Sequence, residues 1–113
     1  MSNRIGINHE KAEELANVLS VLLANYQLYY QNLRGFHWNI TGSSFFELHT
    51  KFEELYTEAH TAIDEIAERI LTLGHTPCHT FSDYLTKAAI KEAANVSNGR
   101  EAVDEVINNL SLL

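Results

Sequence analysis

Six histidines and fifteen carboxylates are spread over 113 residues, and five of these side chains fall into register. His49, Glu53, His60, Asp64 and Glu68 follow one another at steps of four, seven, four and four. On an α-helix those steps return to one face. The pairs His49/Glu53 and Asp64/Glu68 have the i, i+4 spacing that lets two side chains of one helix converge on one ion. Just upstream, His37 stands next to Trp38 in what reads as the connection before that helix. Imidazole nitrogens with carboxylate oxygens and no thiolate suit Fe(II), Mn or Zn better than a soft metal. Each residue also has an ordinary alternative. A polar stripe on a long helix is usually a solvated face, His37 reads equally as a hydrogen-bonded loop histidine, and Trp38 as simple core. The combination, not any single member, points to a metal centre.

Reach sharpens that reading. His49 and Asp64 are fifteen residues apart, roughly 22 Å along a straight helix, so one chain cannot bring both to one ion. Two copies of the helix crossing antiparallel about a two-fold axis would bring His49 and Glu53 up to the partner's Asp64 and the partner's Glu68. Two equivalent sites then result per dimer.

The elements that must position these residues are helical. From Asn8 to about Arg34, Leu15, Val18, Leu19, Leu22, Tyr26, Tyr29 and Leu33 recur at steps of three and four, the signature of a long amphipathic helix. Asn8 is its expected N-cap, with Glu10 in the first turn, and Gly35 its expected stop. Phe36 to Gly42 reads as a connection. Ser44 followed by Glu47 has the form of a capping box opening a second helix that runs to about Leu73. Its apolar stripe is Leu48, Phe52, Leu55, Ala59, Ile63, Ile66, Ile70 and Leu73, and Gly74 with Pro77 supplies stop signals. Two rods of similar length joined by a modest loop predict an antiparallel pair. Ser82 is expected to cap a short helix through Ala88 to Ala94. Asn98 with Glu101 is expected to cap another, carrying Val103, Val106, Ile107 and Leu110, which runs to the end at Leu113 without a stop signal.

Composition narrows the function classes. One proline and five glycines favour a few long elements over many short strands, so the fold class is all-α. Hydrophobic and charged fractions of 45% and 20% are those of an ordinary globular domain. A formal charge of −7 argues against a nonspecific nucleic-acid binder, which needs clustered Lys and Arg. The single cysteine, Cys78, excludes an internal disulfide and fits a reducing compartment such as a cytoplasm. No apolar stretch approaches ~18 residues and MSNRIGINHE is unlike a secretory signal, so neither secretion nor membrane insertion is expected.

The run FHWNITGSSFFELHTKFEELYTEAHTAIDEIAERILTLG resembles the signature of Dps-type mini-ferritins, the DNA-binding proteins from starved cells, and the resemblance extends over nearly all of the chain. It implies a ferritin-like helical bundle and a ferroxidase that stores iron. It also implies a homo-oligomeric shell of twelve subunits with di-iron centres at two-fold interfaces, and hydrogen peroxide as the oxidant. By resemblance His37, His49 and Glu53 would come from one subunit, and Asp64 with Glu68 from the facing one. The family usually has Asp where this chain has Glu53, a carboxylate on a stem one methylene longer. Trp38, beside a ligand, would be a possible electron donor. The lysine-bearing arm with which some members hold DNA is not evident, since the first ten residues carry only Arg4 among longer basic side chains.

Rival readings are an ordinary ferritin or bacterioferritin, a non-catalytic helical interaction module of the same fold, and a DNA-compacting protein. The first needs Glu-x-x-His pairs on two helices, and the long helices here have none. His75, Cys78 and His79 share one loop but form a weak zinc motif. His60 lies between the two ligand pairs, as an outer partner of the site or an exposed residue at the subunit contact. Residues 1–113 read as a single ferritin-like domain, incomplete. The family's subunit has four bundle helices, and this chain supplies two, a linker helix and the start of a third, the fourth being absent. The faces of both long helices would then expose apolar area until assembly.

Overall fold

A computed structural model describes residues 8–113, and helix is the regular secondary structure among them, apart from one isolated bridge. Arg4, on which the reading of the N-terminal arm rests, lies outside those residues. The helices are α1 (His9–Asn39), α2 (Phe45–Thr72), α3 (Phe81–Lys87) and α4 (Gly99–Leu112). The two long helices pack as the expected antiparallel pair, and the molecule measures 54 × 23 × 22 Å.

Helix α1 starts as the sequence suggests, with Asn8 Oδ1 accepting from Lys11 N at 2.9 Å. It does not stop at Gly35. The helix runs on through Phe36, His37 and Trp38 to Asn39, so the expected connection Phe36 to Gly42 is in large part helix. The reason is packing: Phe36 is buried and meets Phe52 of α2 at 5.7 Å between ring centroids. Burying a side chain of that size contributes roughly 1.5–3 kcal/mol, more than the ~1 kcal/mol that a helical glycine costs. The chain reverses instead at Gly42, whose φ of 107° is left-handed.

The buried face of α1 also differs from the expected stripe. Tyr29 and Leu33 are buried as predicted, but Leu15 and Val18 are exposed, Val18 by 64%. Ala12, Ala16, Leu23, Ala24 and Leu28 are buried in their place. Apolar residues occur on several faces of this helix, and the position of α2 selects among them. The stripe of α2 holds better, with Phe52, Ala59, Ile70 and Leu73 buried.

Helix α2 begins at Phe45, but Ser44 makes no side-chain cap hydrogen bond, so the expected capping box is not formed. Its C-terminus is closed as expected. His75 N donates to Ile70 O and Gly74 N to Leu71 O, with Gly74 at φ 84°, the Schellman pattern.

The short helix is capped by Thr80, whose Oγ1 accepts from Asp83 N at 3.2 Å, and not by Ser82. It ends at Lys87, so the expected helical stretch Ala88 to Ala94 is irregular. Two buried asparagines of α1 explain this. Asn25 Oδ1 accepts from Ala89 N (2.8 Å) and Ile90 N (3.0 Å). Asn32 Oδ1 accepts from Ala93 N (3.0 Å), while its Nδ2 donates to Lys91 O (2.9 Å) and to Asn109 Oδ1 of α4 (3.0 Å). These side chains take up backbone groups that a helix would have paired internally. The segment thereby lies along α1 and contributes Ile90 and Val96 to the core. Helix α4 starts at the expected cap, with Asn98 Oδ1 accepting from Glu101 N at 3.1 Å. It buries Ala102 and Val106, whereas Ile107 and Leu110 are exposed.

Candidate metal centre

Helices α1 and α2 bring two histidines together where the chain reverses. His37 lies in the last turn of α1, not in a loop, and is 7% exposed; His49 lies near the start of α2. Nδ1 of His37 donates to the main-chain carbonyl of His49 at 2.6 Å, and Nδ1 of His49 donates to the carbonyl of His37 at 2.7 Å. A carbonyl oxygen can only accept, so each ring carries a proton on Nδ1. In the neutral imidazole, Nε2 then bears the lone pair that can bind a metal. The two rings stack at 3.7 Å with 19° between their planes. Phe45 stacks on His49 at 4.9 Å, and Tyr56 meets the His37 ring edge-on at 5.3 Å. Such contacts fix both tautomer and ring orientation, the usual task of the groups around metal ligands.

Phe45 and Tyr56 were not among the residues singled out by type. Their spacing carried a signal, since Phe45 is four residues before His49 and Tyr56 seven after it, on neighbouring turns of one face.

Glu53 follows one turn after His49 and is exposed, as are Asp64 and Glu68 further along α2. Among the described residues the one ion pair is Lys51–Glu54 at 3.4 Å, so these three carboxylates have no basic partner there. Nor do three His, Cys, Asp or Glu side chains converge on a common point anywhere among the described residues. The structure thus joins His37 to His49 and leaves Asp64 and Glu68 apart from them on the same rod. His60 is exposed, its ring tilted against Tyr30 at 5.9 Å. Trp38 is 59% exposed and is therefore not core; the Arg34 guanidinium lies 5.1 Å from its ring centroid.

The loop after α2 assembles no second centre. Cys78 Sγ points to Ser20 O at 3.8 Å, and His79 Nδ1 donates to Pro77 O at 2.9 Å. Burial pushes the Cys78 thiol above its ordinary range, partly offset by Lys87, which disfavours the thiolate that would bind zinc.

Comparison with known proteins agrees with this architecture. The family model of the ferritin-like domain matches residues 12–111. A DNA protection during starvation protein of Brevibacillus brevis is 45% identical over 84% of this chain and 64% of its own length. One from Porphyromonas gingivalis is 42% identical over 96% of this chain and 68% of its own. Among solved structures, a Dps protein of Vibrio cholerae, described as a member of a broad superfamily of ferritin-like diiron-carboxylate proteins, superposes with a TM-score of 0.95 at 51% identity. That match covers 97% of this chain and 69% of the Vibrio chain. The chain therefore spans about two thirds of the length of these relatives. No helix among the described residues is long and apolar enough to cross a membrane. With its two long helices and its short linking helix matched in this way, the chain belongs to the ferritin-like family and, within it, to the Dps-type mini-ferritins.

Proposed function

We propose that this protein is an iron-storing ferroxidase that oxidises Fe(II) at two equivalent inter-subunit sites per two-fold dimer. The observation that carries the reading is the reciprocal lock of His37 and His49, which leaves one coordinating nitrogen on each ring, together with the lack of a third ligand converging from the same chain among the described residues. On this reading the chain holds half of the site, and the complement lies too far along the same rod to reach it.

In this reading His37, His49 and Glu53 bind Fe(II) on one side, and the partner's Asp64 and the partner's Glu68 close the site from the other. The donor set is mixed imidazole and carboxylate, which suits iron. Oxygen-rich ligation stabilises Fe(III) over Fe(II) and so eases electron loss. Hydrogen peroxide is the oxidant: one molecule takes an electron from each of two Fe(II) ions and, with two protons, leaves as two waters. No hydroxyl radical forms in that balance. In the same reading Trp38, exposed and next to His37 in the chain, donates an electron should a one-electron step leave a radical. The ferric product is stored inside a homo-oligomeric shell of twelve subunits in the cytoplasm, and the outcome is protection against oxidative stress. Residues 1–113 act as part of one ferritin-like domain. A charge of −7 draws Fe(II) in and disfavours DNA, so no mobility shift of DNA is expected at low salt.

The test uses His49→Ala and Asp64→Ala, separately and mixed. Each alone loses peroxide-driven ferric absorbance. Co-assembled in equal amounts, half of the dimers are mixed, and each mixed dimer keeps one site in which both residues are intact. About a quarter of the sites recover. Unchanged oxidation in both single variants overturns the metal site, and no recovery on mixing overturns its inter-subunit construction.

A further inference from the structure

The spacing that divides the iron site between two chains also fixes where the two-fold axis crosses α2. This inference rests on the inter-subunit reading above. If His49 faces the partner's Glu68 and Glu53 faces the partner's Asp64, both pairs have the same midpoint, between residues 58 and 59. The axis passes there. His60 lies just beyond that midpoint and on the same face as the ligands, so it and the partner's His60 are offset by only three residues, about 4.5 Å along the helices. Packed helices have axes roughly 8–10 Å apart, a gap that two histidines can span to share one ion at about 2.0–2.1 Å from each nitrogen.

The side chain is prepared for that role. His60 is exposed and makes no hydrogen bond among the described residues, so neither ring nitrogen is committed. Its ring is nonetheless not adrift, because it lies against Tyr30. Tyr30 is in turn held by Arg34 Nη1, which donates to its hydroxyl at 3.3 Å, and by the edge-on ring of Tyr56 at 6.0 Å.

We propose that His60 and the partner's His60 bind one divalent transition ion of the Zn2+ class on the two-fold axis, one ion per two chains. This site lies about 11 Å of helix rise from each iron centre. Its two imidazoles favour Zn2+, Co2+, Ni2+ or Cu2+ over Fe(II), whose sites here carry carboxylates. The bound ion cross-links the two protomers through α2.

Co2+ serves as the probe, because its visible bands report imidazole coordination. In the assembled protein carrying His49→Ala and Asp64→Ala, which disable the iron sites, half an equivalent of Co2+ per chain binds, and adding His60→Ala abolishes it. In the otherwise unaltered protein, His60→Ala lowers total Co2+ by the same half equivalent. Co2+ uptake that His60→Ala leaves unchanged in both backgrounds overturns the proposal. A second measurement separates its failure from that of the reading beneath it. With Cys78→Ser and His60→Cys, a short bis-maleimide couples pairs of chains if the register is right. Cross-linking without His60-dependent Co2+ binding sinks the axial metal site alone. Absence of cross-linking sinks the register, and with it the inter-subunit iron site.

Discussion

His37 and His49 hold each other through the main chain: each Nδ1 donates to the other residue's carbonyl, at 2.6 and 2.7 Å, with the rings stacked at 3.7 Å. The lock spans the junction of α1 and α2, so it joins the geometry of the candidate centre to the packing of the helix pair. Replacing either histidine by alanine removes one hydrogen bond and the stack, and lowers stability by about 1–3 kcal/mol. The two changes are not additive. A double-mutant cycle read by urea denaturation gives a coupling of roughly 0.5–3 kcal/mol, and additivity would show that the two hydrogen bonds do not act together. Nitrogen-15 shifts of both imidazoles report the proton on Nδ1 in the neutral, metal-free form.

The polar contacts of Asn32 lead to a different expectation. Asn32→Ala strands the backbone of Lys91 and Ala93 and the side chain of Asn109, all satisfied by one amide. Such a loss costs roughly 2–4 kcal/mol. Limited proteolysis then cuts first within residues 88–98, while His37 and His49 keep their tautomers. Protection of that segment in the variant would show that apolar packing of Ile90 and Val96 alone holds it.

Two glycines predict opposite signs. Gly35 sits inside α1, where an added Cβ would meet nothing within 4 Å, and its φ is not positive. Gly35→Ala therefore stabilises by roughly 0.5–1 kcal/mol. Gly74 closes α2 at φ 84°, and Gly74→Ala destabilises by about 1 kcal/mol. Thermal midpoints of the two variants should bracket that of the parent. If both move the same way, the two positions are not conformationally distinct.

Alkaline pH should erode the fold. Burial raises the Cys78 thiol, and it raises the Tyr29 and Tyr84 phenols, Tyr29 with help from Tyr26 and Glu58. Groups raised in this way hold their protons to higher pH in the folded chain than in the unfolded one. Between the ordinary value and the raised one the native state binds more protons, so stability falls as pH rises. Their contribution is complete below the ordinary thiol and phenol range and is lost as pH passes the raised values. Urea midpoints measured from about pH 8 to about pH 11 should decline, and Cys78→Ala should flatten the first part of that decline. A midpoint that rises over this window would contradict the burial of these groups.

Much of the architecture is legible in the residues themselves. The N-cap at Asn8, the long second helix with its stop at Gly74, and the cap at Asn98 are local features, each set by side-chain hydrogen bonds or backbone preferences within a few residues. The stripe of candidate ligands on α2 is also local, because helical periodicity alone places His49, Glu53, Asp64 and Glu68 on one face. At the two largest departures from expectation a distant residue decides, whereas the caps at Ser44 and Ser82 give way locally. Gly35 looks like a stop until Phe52 is there to receive Phe36. Ala88 to Ala94 looks helical until Asn25 and Asn32, some sixty residues earlier in the chain, claim its backbone. Which apolar side chains of α1 are buried depends on where α2 lies. His37 could be named from the sequence, but its pairing with His49 could not, since eleven intervening residues had first to fold into a helix end, a turn and a helix start. Sequence alone determined which groups are available for chemistry and which helix face carries them, because both follow from residue type and a period of 3.6. Only the tertiary structure decided which ring nitrogens are open and which backbone departs from helix, because those outcomes depend on contacts between segments remote in the chain.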